Sequence, residues 1–316
     1  MHLCIGSYEH SSLILIRVLT SLHVGTGKSA GVVDLPIARD NLNLPFIPAS
    51  SLKGALRTYF KGDEELIIFG SRPLDKEHYA GALAVLDGCL LAFPARSLKG
   101  VWVLVTSSLL LKRFMYLADI VGFSDSVVSE SLWMRIEGLE GDQVLASLNG
   151  RKKLSINGSI ILNEEFELKL PSESLTDNEI EQIAKRYLKL DDSWRLVIVH
   201  DDILYSLVER SILRRTRIRL EKLRKVAKER ALWTEEELPA ETRFITCFFY
   251  SKGRKPGKDV KDANEIRKIV EEKLFRDCKG YVIFGGHETI GRGLVEVVNL
   301  SCTSQGDEIG AETSER

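Results

Sequence analysis

Apolar residues along this chain recur at two spacings, and the switches between them predict alternating strands and helices. Ser12 to Leu19 (SLILIRVL), Ala82 to Pro94, Val101 to Val105, Trp194 to Val199, Arg243 to Tyr250, Tyr281 to Phe284 and Leu294 to Leu300 are short apolar runs of the strand type. Helical spacing fits Ser50 to Gly62, with a Ser at the start and a Gly stop, and Thr106 to Ala118. It also fits a segment from the capping box Thr176-Asp-Asn-Glu179 to Leu190, and a capped segment from Asp262 to Gly280. The order strand, helix, strand pair, repeated after residue 150, predicts an α+β fold with an RRM-like or ferredoxin-like core carrying large insertions. The expected insertions are residues 119–170 and 200–242. Ser304 to Arg316, rich in Ser, Gly and acid, is expected to be a disordered tail to a single domain over 1–303.

The stretch from Ser21 to Arg57 shows no apolar period before the helix at its end. One His, two Asp and three Pro crowd into it among small residues. Ordered loops of this length are uncommon in compact domains and usually bind or catalyse.

Bulk composition changes the picture little. At 316 residues and 44% hydrophobic the chain can bury a sizeable core, and a formal net charge of −1 gives no global field for a polyanion. Any nucleic-acid site is therefore local. Cysteines at 4, 89, 247, 278 and 302 have no CxxC spacing and an odd count, which argues against a disulfide framework or structural zinc and fits a reducing cytoplasm. No segment approaches the roughly 20 apolar residues of a membrane span.

Three enzyme motifs fail on inspection. Gly25-Thr-Gly-Lys-Ser29 ends like a P-loop, but its first glycine position holds Leu22. Ser50-x-x-Lys53 lacks the partner motifs of serine acyl-enzymes and reads as a helix cap. His287-Glu288 begins a zinc-protease motif whose second histidine position holds Gly291.

What remains suits a nucleic-acid backbone. Ser51-Leu-Lys-Gly54 recurs as Ser97-Leu-Lys-Gly100, each offering a hydroxyl, an ammonium (Lys53, Lys99) and a glycine amide. Lys53 and Arg57 share a helix face near Ser50, and Gly285, Gly286 and Arg292 punctuate a loop between two strands. Solvated surface and a hairpin connection are the plain alternatives. The densest charge lies between Glu209 and Arg230, ten Lys and Arg against three Glu. Within it Arg215, Arg217 and Arg219 alternate with Thr216, Ile218 and Leu220, which is strand-like and puts three guanidinium groups on one side; a surface helix competes. Asp34 is the carboxylate best placed for chemistry, on a loop shared with His23; an Asx-turn or an ion pair with Arg39 is the plain reading. Glu235-Glu236-Glu237 before Leu238-Pro239 reads as an exposed helix N-terminus.

These residues also carry a family resemblance. His23-Val-Gly-Thr-Gly, Gly31-Val-Val-Asp34-Leu-Pro-Ile-Ala-Arg39-Asp40 and Pro45-Phe-Ile-Pro-Ala-Ser-Ser-Leu-Lys-Gly-Ala-Leu-Arg57 resemble the opening of the RAMP superfamily of CRISPR RNA-binding subunits. Phe284-Gly-Gly-His-Glu-Thr-Ile-Gly-Arg-Gly-Leu294 is similar to its glycine-rich C-terminal loop, and Phe93-Pro-Ala-Arg-Ser-Leu-Lys-Gly100 narrows the likeness to the target-cleaving backbone subunit of type III-B (Cmr) complexes. The resemblance implies a subunit that polymerises with its own copies and other Cmr subunits along a CRISPR guide RNA. It implies cleavage of complementary target RNA by attack of the adjacent 2′-OH.

The same resemblance assigns residues. Asp34 matches the catalytic aspartate, as general base or as ligand to a divalent ion such as Mg or Mn, and His23 stands at the matching spacing. The basic stretch becomes a β-hairpin thumb. An acidic residue and a tyrosine beyond it assist cleavage; Glu235 matches the acid, and Glu237 stands where the tyrosine is expected. A non-catalytic guide-binding scaffold and a guide-processing ribonuclease are the alternative functions.

Overall fold

Strand His10–Val18 is apolar on both faces, the mark of a strand in the middle of a covered sheet, and in a computed structural model it is central. Leu294–Asn299 pairs with it on one side and Arg243–Tyr250 on the other, both antiparallel. Lys279–Ile283 continues the sheet beyond Leu294–Asn299, and Gly88–Ser97 continues it beyond Arg243–Tyr250. The structure describes residues 6–302 except 29–30, 124–126, 172–177, 221–226 and 258–259.

Alternation along the strands sends side chains to two separate cores. Ile14, Ile16, Phe244, Phe248 and Val297 pack with Leu52 and Leu56 of helix Ala49–Arg57 and with Ile266 and Val270 of helix Ala263–Leu274. Leu13, Leu15, Ile245, Cys247 and Val298 pack on the opposite face with Leu111 and Phe114 of helix Ser108–Ile120, Leu132 of Glu130–Glu137 and Ile183 of Asn178–Arg186. Both faces of the sheet are therefore covered by helices. What the helices leave uncovered is the loops and the hairpin.

The ten-residue strand Gly88–Ser97 joins two halves of the molecule. Its first part pairs with Arg243–Tyr250 and its second with Val101–Ser107, which lies parallel to Leu196–Val199. Val144–Ala146 closes that end. The region expected as an insertion at 119–170 thus adds strands and helices to one continuous mixed sheet, in keeping with an α+β fold. The region 200–242 supplies helix Asp201–Ser211 and then an antiparallel hairpin, Leu213–Leu220 with Ala227–Glu237, so the alternating arginines lie on a strand and the surface-helix reading falls.

Several sequence-based boundaries shift for physical reasons. Gly62, read as a helix stop, instead begins a second helix, Gly62–Phe69; the first one ends at Arg57 and starts after Pro48 with no side-chain cap. Asp87 accepts from the Ala49 N–H at 2.7 Å, a cap from a distant loop that replaces the expected Ser50. The Asp262 capping box with Glu265 is present, but the helix stops at Leu274 because Asp277 and Cys278 turn left-handed to start the return strand. The Thr176 cap, Lys222, Arg224, Lys225 and the tail from Ser304 lie outside the described residues.

The cysteine expectation needs correcting. Cys278 and Cys302 are joined in a disulfide with Cα atoms 5.8 Å apart. Sequence spacing concealed this pair because the turn before Lys279 and the residue beyond Asn299 meet only when their two strands pair. The bridge closes 24 residues, so Cys302→Ser is expected to lower unfolding free energy by up to about 3 kcal/mol, and mass spectrometry of the unreduced protein should find the linked peptides. Among the described residues no helix is long and apolar enough to cross a membrane.

Candidate catalytic cluster and nucleic-acid interface

Three distant segments meet at the root of the hairpin. Leu22 bridges to Leu238, Leu35 bridges to Glu235, and the N–H groups of Gly286 and Gly293 donate to the carbonyls of His23 and Ser21, each at 3.0 Å. Gly285 adopts φ +75°, and a Cβ there would stand 2.3 Å from the His23 carbonyl oxygen. The glycine-rich loop is glycine-rich so that its backbone can press on the His23 loop. The Gly286 amide is thereby occupied by protein.

The hairpin root carries a ladder of opposite charges. Glu235 and Glu237 lie on one face of their strand and are both fully buried, whereas the sequence pattern suggested an exposed helix start. Each acid is clamped from two sides. Glu237 meets Arg215 at 3.1 Å and Arg292 at 2.7 Å. Glu235 accepts from Arg217 at 3.1 Å on Oε2 and from the Trp233 indole at 2.7 Å on Oε1, and His287 Nε2 lies 3.5 Å from Oε1. Burial alone would raise the Glu235 carboxyl. The hydrogen bonds from Trp233 and Arg217, with the charges of His287 and Arg217, outweigh it and hold the carboxyl below the usual range. On the other strand face Glu236 meets Arg214 at 3.2 Å and Arg39 at 3.4 Å, and both arginines also reach Glu209.

His23 is buried, with Nδ1 2.7 Å from the Glu236 carbonyl oxygen. A carbonyl only accepts, so Nδ1 carries a hydrogen toward it, the tautomer whose lone pair lies on Nε2. Nε2 faces Gly25, where a Cβ would stand 2.6 Å away. The His287 ring lies 5.4 Å from that of His23, centroid to centroid.

Asp34 is exposed beside this cluster. Its Oδ2 accepts from the Thr234 N–H at 2.7 Å and from the Thr234 hydroxyl at 3.0 Å. Those bonds hold the carboxyl below its ordinary value, and the charge of Lys28 adds to them. Arg39 pairs with Glu209 and Glu236, not with Asp34, so the carboxylate is positioned by the hairpin. Among the described residues no three His, Cys, Asp or Glu side chains converge as metal ligands, and Asp34 alone does not make a preformed cation site.

The remaining candidates are spread out. Ser50 is exposed on the helix that holds half-buried Ser51 and Lys53, and burial and then the neighbouring Arg57 charge lower the Lys53 ammonium. Arg57 itself is held by Glu65 at 2.8 Å and by the Gly70 carbonyl at 3.0 Å. Lys99 sits at a strand turn and donates to the carbonyls of Lys152 and Ser155, so the two Ser-Leu-Lys-Gly segments, one helical and one a turn, are unrelated in structure. Arg219 is exposed near the hairpin tip with no ion pair among the described residues. The sequence reading passed over Trp233 and Thr234, and it met Glu236 and His287 only inside larger motifs, with no role of their own. Glu236 stood in the acidic run, and His287 in the failed protease motif and the glycine-rich loop.

Residues 15–296 match the sequence pattern of the RAMP superfamily. The chain belongs to it. Within that superfamily it is 33% identical over 310 residues to the CRISPR system Cmr endoribonuclease Cmr4 of Pyrococcus furiosus, spanning 93% of this chain and 97% of that one. A chain in the cryo-EM structure of the Type III-B Cmr-beta bound to cognate target RNA superposes with a TM-score of 0.72 at 29% identity, covering 94% of this RAMP chain and 99% of that chain. The crystal structure of oligomeric Cmr4 from Pyrococcus furiosus gives 0.63 at 25% identity, over 91% and 96% of the two chains.

Proposed function

We propose that this chain is a backbone subunit of a type III-B CRISPR effector, assembling with its own copies and other Cmr subunits along guide RNA in the cytoplasm and cutting complementary target RNA. The observation that carries the reading is Asp34, an exposed carboxylate gripped by Thr234 at the root of an arginine-bearing hairpin. Relatives named as a Cmr endoribonuclease and as part of a target-bound Cmr complex support it. The central strand order, Leu294–Asn299, His10–Val18, Arg243–Tyr250, Gly88–Ser97, with helices Ala49–Arg57 and Ala263–Leu274 on one face, supports a ferredoxin-like core.

In this reading the hairpin splays the guide:target duplex and presents a ribose 2′-OH to the site. The 2′-oxygen attacks the neighbouring phosphorus, its proton passes to a base on the Asp34–His23 loop, and the bond to the 5′-oxygen breaks to leave a cyclic phosphate. A divalent ion would need RNA phosphate oxygens and water to complete its shell around Asp34, so no step is assigned to it. Complexes assembled with guide and labelled target RNA should give products cut at regular intervals; bound but intact target would refute cleavage. The full burial of Glu235 and Glu237 favours the scaffold alternative, in which the cluster merely holds the hairpin.

Guide contact is expected on the first helix. A half-buried ammonium such as Lys53 has already lost much of its water, so a phosphate partner gains more there than at a fully solvated lysine. Lys53→Glu should abolish RNA-dependent assembly in sedimentation or microscopy, while the melting temperature of the free protein changes little.

A further inference from the structure

We propose that His287 is the group that protonates the leaving 5′-oxygen, and that Glu235 acts through it as a positioning residue. The proposal rests on the cleavage reading above. Glu235 has no exposed surface, and both its oxygens are held, Oε2 by Arg217 and Oε1 by Trp233 with His287 alongside. RNA cannot reach it. The side chain of His287 is 32% exposed, so it connects the buried carboxylate to the surface where RNA would lie.

The geometry gives the two imidazoles different tasks. His23 has its Nδ1 hydrogen committed to the Glu236 carbonyl, which leaves a lone pair on Nε2. His287 has its Nε2 3.5 Å from the buried Glu235 carboxylate, which orients the ring and leaves Nδ1 free to face the RNA as a donor. Their ring centroids are 5.4 Å apart. As the phosphorus–oxygen bond breaks, the leaving 5′-oxygen takes the proton from His287 Nδ1; the ring becomes neutral with its Nε2 hydrogen on Glu235, and solvent restores the lost proton.

The backbone adds an independent mark. His287 adopts φ +67°, a region a non-glycine residue seldom occupies without support from its surroundings. The support is present: the N–H of Ile290 donates to the His287 carbonyl at 3.1 Å, and Gly286, the preceding residue, is tied to His23. The charged groups that face or flank the ring are Glu235 and Arg217 from the hairpin, His23 from the first loop, and Glu288 and Arg292 from its own loop.

The test uses guide-loaded complexes, single-turnover cleavage across pH and a parallel measurement of target binding. His287→Asn suits the left-handed backbone and should keep the fold, and His287→Gln gives a second polar replacement. Cleavage should fall about 10²-fold or more with target affinity unchanged. The wild-type fall in rate at high pH, where a general acid loses its proton, should vanish in both variants. Glu235→Gln should slow cleavage too, and the double variant should be no slower than His287→Asn alone. Wild-type rates and an unchanged pH profile for both His287 variants, or multiplicative losses in the double variant, would overturn the proposal. A wild-type complex that binds target and never cuts it would instead overturn the cleavage reading beneath it.

Discussion

Asp34→Asn is expected to slow target-RNA cleavage by about 10²–10⁴-fold while guide binding, oligomerisation and target capture stay at wild-type levels. Asn keeps the outline of the side chain and can still accept from Thr234, so the hairpin root should hold its shape. What disappears is the negative charge. Because the Thr234 bonds lower the carboxyl below its ordinary value of 3.8, Asp34 is fully ionised at neutral pH and available as a base or an electrostatic partner there. The same depression fixes the sign of its linkage to folding: the contribution is present above the unfolded value and is lost as pH falls through the lower folded one. A target with one 2′-deoxyribose at the cut nucleotide should resist the wild-type protein at that site only. Normal cutting by the Asn variant would hand the function to the scaffold reading, whereas normal cutting of the deoxy target would remove the 2′-OH as nucleophile.

Arg217→Ala and Arg219→Ala are expected to separate structure from RNA contact, although the two arginines are only two residues apart on one strand. Arg217 is bonded to Glu235, which is fully buried, and its removal leaves a carboxylate oxygen without its charged donor. The expected cost is about 2 kcal/mol, below that of a fully buried pair because Arg217 is itself partly exposed and Trp233 and His287 remain on the other oxygen. Thermal unfolding should therefore shift down by several degrees and cleavage should fall with it. Arg219 has no such partner among the described residues, so its replacement should leave the melting temperature alone. It should flatten the dependence of log affinity on log salt by roughly 0.7, one phosphate contact on a single strand. Equal effects of the two variants on stability would mean that the charge ladder does not anchor the hairpin.

Local signals were legible in the sequence, and convergent ones were not. Arg243–Tyr250 coincides with its predicted bounds because six of its eight residues are apolar and the run is too short for a buried helix, and the Asp262–Glu265 box announces its helix through two side-chain bonds within four residues. Asp34 and His23 stood out because a long aperiodic loop must be held by something. The partner that holds Asp34, Thr234, is 200 residues away and carries no mark of its own. Glu235 and Glu237 were seen, but their role depends on a period of two that becomes visible only once the segment is known to be a strand. Gly62 shows the limit of single-residue punctuation, since the same left-handed freedom that ends one helix admits the chain into the next.

The strand order ends on one side with five-residue Lys279–Ile283 and on the other with three-residue Val144–Ala146. Such short borders expose few unpaired backbone groups, so neighbouring copies gain little by extending one another's sheet. An assembly grown by sheet extension would have no intrinsic stopping point and would tend toward fibres. With that route blunted, copies of this protein are left to associate through side chains and through a shared polymer threaded past each one. In the proposed assembly the nucleic acid would then act as the ruler: particle length should follow the number of nucleotides available to be covered, and protein without RNA should remain in small species even when concentrated.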